Sequence, residues 1–162
     1  MKAPTPVSAY LHSATMVKAG IYLLARFTPI LSDGEVWNMV LMCVGGTTMV
    51  VGAFLSVFKV DMKSVLAYST ISALGILVFL IGIGTETALL AASTFILVHA
   101  LYKASFFMIT GIVDHETHTR DLTVLSGLKK KLPIVAICAV IAALSSAGVP
   151  LTFGFISKEI IY

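Results

Sequence analysis

The stretch from Ala88 to Val113, ALLAASTFILVHALYKASFFMITGIV, decides the fold. A helix needs about 20 mostly apolar residues to cross the hydrocarbon core of a bilayer. This run exceeds that length, with His99 and Lys103 set in its middle. Comparable runs lie on either side, at Val7 to Phe27, Val36 to Phe58, Ser64 to Ile83, and Pro133 onward to the C-terminus. Strict alternation over about 9–11 residues, the mark of a bilayer strand, is absent. The sequence predicts an all-α transmembrane chain with about five membrane-spanning helices, forming a single transmembrane domain over residues 1–162.

Composition agrees. Of the 162 residues, 58% are hydrophobic and only 12% charged, and the mean hydropathy is +1.00. A soluble domain carries about 25% charged residues to cover its wet surface, so this chain is excluded from the soluble enzymes. Cys43 and Cys138 each sit inside an apolar run, far apart and without a CxxC neighbour, which favours packing or lipid-facing thiols over a redox or metal pair. Met1, Lys2 and Ala3 lead straight into Pro4-Thr5-Pro6 without a signal-peptide order. The last residues, Ile160-Ile161-Tyr162, read as helix interior, so the chain is expected to be a fragment of a longer one.

The connections are short except one. The first helix is expected to end near Arg26, with a turn at Thr28-Pro29 and Ser32-Asp33-Gly34. Lys59 to Lys63 and Gly82 to Glu86 link the next helices, and the longest connection runs from Asp114 to Leu132. Alternating crossings put Lys2, Lys59, Lys63, Arg120 and Lys129-Lys130-Lys131 on one side, against little beyond Arg26, Asp33, Glu35 and Glu86 on the other. Lys and Arg accumulate on the cytoplasmic side. The N-terminus and the 114–132 loop are therefore expected to be cytoplasmic, in a multi-pass protein of the cell's inner (plasma) membrane. The lysine run reads as that orientation signal rather than as an anionic-ligand site.

The final apolar segment, Ala142-Ala143-Leu144-Ser145-Ser146-Ala147-Gly148-Val149-Pro150, packs small residues and a proline at membrane depth. Pro150 removes a backbone donor, so the helix should break near it. Freed backbone groups are tolerated in a membrane only beside protein or a hydrated cavity. Broken helices often hold ion sites in transporters, while a plain proline kink remains the other reading.

Ionisable residues at membrane depth carry the chemistry, because a charge there costs at least about 2.5–3.5 kcal/mol. His99 and Lys103 are spaced to share one helical face, and histidine titrates near physiological pH, so the pair is a candidate proton relay. Lys18 lies deep in the first helix. His12, six residues earlier, sits about 120° away around it and faces different neighbours. Lys63 opens the third helix next to Asp61, a candidate cap; it is either functional or a further orientation charge. Lys158 and Glu159 follow the break and, as sequence neighbours, should each seek a partner on another helix or another chain. Cofactor and metal motifs fail. His115-Glu116-Thr117-His118 misses the HExxH spacing, Gly82-Ile83-Gly84 lacks a third glycine, and no P-loop or nucleophile elbow occurs. Neither a cofactor, a metal nor nucleic-acid binding is expected.

Pro4 to Met16, the Asp61–Thr70 run, His99-Ala100-Leu101-Tyr102-Lys103 and Phe155-Ile156-Ser157-Lys158-Glu159 resemble, in order and over essentially the whole chain, the core of the proton-conducting antiporter family. That family contains the antiporter-like subunits of complex I and the Mrp-type multisubunit Na+/H+ antiporters. Met16 to Tyr22 and Gly111 to Asp121 are most similar to the A-subunit branch of the Mrp type. The resemblance implies the second half of an antiporter-like inverted-repeat bundle. It implies His99 and Lys103 in a central relay, Lys158 as a terminal lysine with Glu159 beside it, and His12 or Lys18 as a connecting site. Some relatives carry two histidines in the relay helix, whereas here the upstream place is Phe95, shifting weight onto Lys103. The family's first broken helix, with its lysine and glutamate, has no counterpart in this sequence, so the segment should not transport alone.

The expected function is monovalent cation/proton antiport within a hetero-oligomer in the lipid bilayer, with H+ and Na+ as the transported ions. Two rivals stand beside it. One is a redox-driven proton-pumping subunit of an NADH:quinone oxidoreductase or a membrane-bound hydrogenase. The other is a structural subunit that tolerates neutral replacement of His99, Lys103, Lys18 and Lys158 but fails on packing changes such as Gly45 or Gly46 to Leu.

Overall fold

The computed structural model describes residues 5–31 and 35–161. Its elements are α1 (Thr5–Ala9), a π-helical turn (Tyr10–Ala14), α2 (Met16–Leu31), α3 (Glu35–Val57), α4 (Met62–Ile83), α5 (Glu86–Thr117), α6 (Leu128–Lys131), α7 (Pro133–Ala147) and α8 (Phe153–Ile161). Among the described residues, four stretches are long and apolar enough to cross a membrane: Thr5–Leu31, Glu35–Val57, Met62–Ile83 and Glu86–Thr117. The fifth expected span is the broken one. α7 has 15 residues, about 22 Å at 1.5 Å per residue, short of the ~30 Å hydrocarbon core. The chain breaks at 148–152 before α8 continues. This is the expected all-α membrane architecture, and the chain is a multi-pass membrane segment.

Local chemistry sets the helix ends. Asp61 caps α4, its Oδ2 accepting from the Ser64 N–H at 2.9 Å and the Ser64 hydroxyl at 2.8 Å. Gly84 closes α4 in left-handed backbone, φ 73°, and Thr85 at once caps α5 by accepting from the Ala88 N–H at 3.2 Å. So tight a connection makes α4 and α5 an antiparallel pair. α5 runs through Thr117 rather than stopping at Val113, so Asp114 to Thr117, expected in a loop, form its last turn. At 32 residues it is about 48 Å long and stands clear of the hydrocarbon.

The first span departs from expectation as well. It does not end near Arg26: α2 continues to Leu31 with Pro29 inside it. Pro29 cannot donate to the Ala25 carbonyl one turn back, yet α2 runs two residues past it. The Thr28 hydroxyl, donating to the Leu24 carbonyl at 2.8 Å, keeps that turn wound. Upstream, the Thr15 N–H reaches back five residues to the Tyr10 carbonyl at 3.3 Å, and the Ser13 hydroxyl donates to the Ala9 carbonyl. The Ser32-Asp33-Gly34 turn and Lys2 lie outside the described residues.

α3 and α4 meet backbone to backbone. A Cβ on Gly45 would lie 2.5 Å from the Phe79 backbone nitrogen, and one on Gly75 would lie 2.4 Å from that of Met49. Close approach of this kind drives helix association in lipid, where no hydrophobic force acts between helices. The Ser72 hydroxyl donates across the seam to the Met49 carbonyl at 2.9 Å. Next to it, Leu77, Ile81, Ala91, Ala92 and Phe95 form the buried core between α4 and α5. At the lysine-rich end, the loop after α5 is stitched to the start of α4: the Met62 N–H donates to the Arg120 carbonyl at 3.0 Å, and the Leu122 N–H to the Val60 carbonyl at 3.1 Å. Beyond it, the Thr123 hydroxyl and N–H both donate to Asp121 Oδ1, which holds this exposed carboxyl below its ordinary range.

Candidate functional site

α5 organises the buried basic residues. His99 is 0% exposed and Lys103 5%, and Lys18 of α2 is 6% exposed. Lys103 Nζ turns to α4, donating to Ser69 Oγ at 2.5 Å and to the Leu66 carbonyl at 3.3 Å. An ammonium has three N–H donors, so one remains without a partner among the described residues. Lys18 Nζ donates to the Ile96 carbonyl at 3.1 Å, one helical turn from His99. The His99 ring stands between Phe95, 5.7 Å away between centroids, and the edge of Tyr102 at 5.3 Å. Neither of its nitrogens has a hydrogen-bond partner among the described residues, while both Lys103 and Lys18 lie within electrostatic reach. The structure thus gathers the expected pair but does not join it directly.

His12 sits in the π-helical turn, half-buried, stacked on Phe107 at 6.0 Å with the planes 21° apart. As expected, His12 and Lys18 touch different residues, yet both face α5. Their contact points on it, Phe107 and Ile96, are about 16 Å apart along the axis. Lys18, His99, Lys103 and His12 therefore form one row down the buried side of α5.

Lys63 is buried and lies outside this row. Its Nζ is 3.5 Å from Asp114 Oδ2, and Arg120 Nε is 3.7 Å from Asp114 Oδ1 and 3.5 Å from Asp61 Oδ1. The network closes the lysine-rich end of the α4–α5 pair, where a cavity of about 620 Å³ lined by Thr5, Pro6, Met108, Gly111 and Asp114 opens.

Lys158 caps the broken helix. Its Nζ donates to the Ala147 carbonyl at 2.8 Å, at the C-terminal end of α7, where the helix dipole favours a cation. Gly148 makes room for it: a Cβ there would lie 2.6 Å from Lys158 Cδ, and φ is 74°. Glu159 is exposed and pairs with no described residue. Among the described residues, no three His, Cys, Asp or Glu side chains come together to hold a metal, and Cys43 and Cys138 are free and exposed. Two of the partners named here, Ser69 and Asp114, are not marked as such by the sequence. Ser69 lies within the Asp61–Thr70 run and is legible there as a polar residue at depth; Asp114 reads as loop.

The whole chain, residues 1–162, matches the family described as NADH:quinone oxidoreductase/Mrp antiporter, TM. The chain belongs to that family. Among members of this antiporter family, it is 46% identical over 173 residues to the A subunit of a Na(+)/H(+) antiporter of Bacillus subtilis (strain 168), covering 100% of this chain and 22% of that one. It is 51% identical over 162 residues to the A/B subunit of a probable K(+)/H(+) antiporter of Rhizobium meliloti (strain 1021), covering 100% of this chain and 16% of the relative. The chain thus spans about a fifth or less of these curated relatives. Its fold is that of a chain in the Mrp complex from Dietzia sp. DQ12-45-1b, with TM-score 0.92, 52% identity, and coverage of 98% of this chain and 18% of that one. It also matches a chain of the membrane-bound sulfane sulfur reductase, an archaeal respiratory membrane complex, with TM-score 0.90, 28% identity, and coverage of 98% and 33%.

Proposed function

We propose that this chain is the second half of the transmembrane core of an antiporter subunit, working in a multisubunit complex that exchanges a monovalent cation for protons. The observation that carries the reading is the row on α5: three basic groups, Lys18, His99 and Lys103, buried within a few turns of one another. Such burial is costly in a membrane and is retained where the groups carry ions or protons. Protons pass along His12 and Lys18, His99 and Lys103, and on to Lys158. Lys103 is suited to the central step, since two of its N–H groups are anchored on α4 and the third is free to transfer. The part-exposed Asp114, paired with the buried Lys63, marks the lysine-rich end of the path, and Glu159 stands beside the terminal lysine.

The relatives' names support sodium or potassium as the coupling ion, and the protein serves as a transporter component rather than an enzyme. The lysine-rich end, with the 114–132 loop, is cytoplasmic, and the complex resides in the cell's plasma membrane. A redox-driven proton pump is the second reading, favoured by the likeness to an archaeal respiratory complex. The two separate in inverted vesicles carrying the assembled complex. Adding Na+ or K+ should release a pre-formed pH gradient without an electron donor. A gradient that responds only to NADH or ferredoxin, and to neither cation, assigns the chain to the pump branch.

A further inference from the structure

Hydroxyls buried in apolar helices usually fold back onto a carbonyl of the preceding turn, which satisfies them without a partner helix. The buried Ser13, Thr28, Thr70 and Thr110 all do so here. Ser157 does not. It is 1% exposed, and its hydroxyl has no hydrogen-bond partner among the described residues. An unmet hydroxyl buried in this way is costly, so its inward direction requires an explanation.

Its location supplies one. Ser157 directly precedes Lys158, and with Gly154 it makes up the buried face of α8. α8 packs on α5 and α7. α7 starts at the lysine-rich end and α8 continues beyond its break, so both run antiparallel to α5. Ile161, at the end of α8, packs against the core cluster to which α5 contributes Ala88, Ala91, Ala92 and Phe95. Ser157 lies one turn back from Ile161, on the side where His99 follows Phe95 along α5. His99 on α5 is likewise buried without a partner at both ring nitrogens among the described residues, as are Trp37 Nε1 and Asn38 Oδ1 at the start of α3. The ionisable groups that α5 and α8 carry along this stretch are His99 and Lys103, and Lys158 and Glu159; α7 carries only Cys138, which is exposed.

We propose that the Ser157 hydroxyl is a further proton-relay residue, joining His99 on α5 to Lys158 at the broken helix, directly or through one water. A hydroxyl both donates and accepts. In each transfer its oxygen gains one proton as its own leaves toward the next group, so Ser157 ends unchanged and no co-reactant is consumed. This rests on the relay reading given above, and it adds the link between the central pair and the terminal lysine.

The test uses the full-length protein in its assembled complex, reading the cation-driven pH change in inverted vesicles and the amount of intact complex. Ser157→Thr and Ser157→Val have nearly equal volume and differ in the hydroxyl. The threonine variant should exchange close to the wild-type rate and the valine variant about tenfold or more below it, with equal assembly. Equal rates in the two overturn the proposal. Where the added methyl prevents assembly of both, Ser157→Ala decides: a fall of about tenfold in intact complex supports the relay role, and wild-type exchange overturns it. Lys103→Ala, run in parallel, keeps the two readings apart. If Lys103→Ala is inactive while the Ser157 variants exchange normally, only the Ser157 link fails; if Lys103→Ala exchanges normally, the relay itself fails.

Discussion

Replacing Lys103 by alanine in the full-length protein lowers cation-driven proton movement by about a hundredfold or more, the scale of a lost proton-transfer group, and leaves the complex assembled. The second half of that expectation comes from what Lys103 leaves behind. Ser69 Oγ also donates to the Val65 carbonyl at 2.8 Å, and the Leu66 carbonyl also accepts from the Thr70 hydroxyl at 2.7 Å. Neither atom is stranded when the lysine goes, so no buried polar group on α4 loses its last partner. Removing a buried cation also removes its desolvation cost. Activity and assembly should therefore separate cleanly, measured as vesicle exchange against yield of intact complex.

The opposite separation is expected at the α3–α4 seam. Gly45→Leu puts a side chain where a single Cβ already lies 2.5 Å from the Phe79 backbone. Backbone cannot move aside as a side-chain tip can, so the two helices must part. Overpacking commonly costs about 1–3 kcal/mol, and a leucine at a backbone contact exceeds that range. Little or no intact complex should be recovered. Gly46→Ala is the control: a Cβ there meets only the Phe79 ring, 3.8 Å away, and assembly should be normal. The adjacent glycines look alike in sequence and are unlike in role, because the seam follows one face of the helix. A purely structural role predicts sensitivity at Gly45 and indifference at Lys103; the relay account predicts sensitivity at both, through different readouts.

What the sequence discloses, and what it hides, follows a physical division. Apolar runs announce spans because the bilayer sets a length, and the buried basic residues stand out because each is expensive in its setting. The broken helix is legible too, since Pro150 and its small neighbours forbid a smooth crossing. Partners are harder. Lys103 and Lys18 are held in part by the carbonyls of Leu66 and Ile96, and a backbone carbonyl has no signature in sequence. The π-helical turn around His12 carries no glycine or proline to mark it, yet it directs His12 onto Phe107. Pro29 misleads because the helix runs two residues past it before ending. Asp114 reads as a loop residue because α5 outlasts its apolar run by one polar turn, and with that the burial of Lys63 is hidden.

The central claim is that Lys103 gives up and regains a proton, which is more than supplying a fixed charge. Lys103→Arg addresses this most directly, because arginine keeps the cation and its hydrogen bonds but does not release a proton in proteins. The measurement is the cation-driven pH change in inverted vesicles containing equal amounts of intact wild-type and Lys103→Arg complex. The account predicts exchange as low in the arginine variant as in Lys103→Ala. Exchange at the wild-type rate would contradict it, and would reduce Lys103 to an electrostatic prop beside His99.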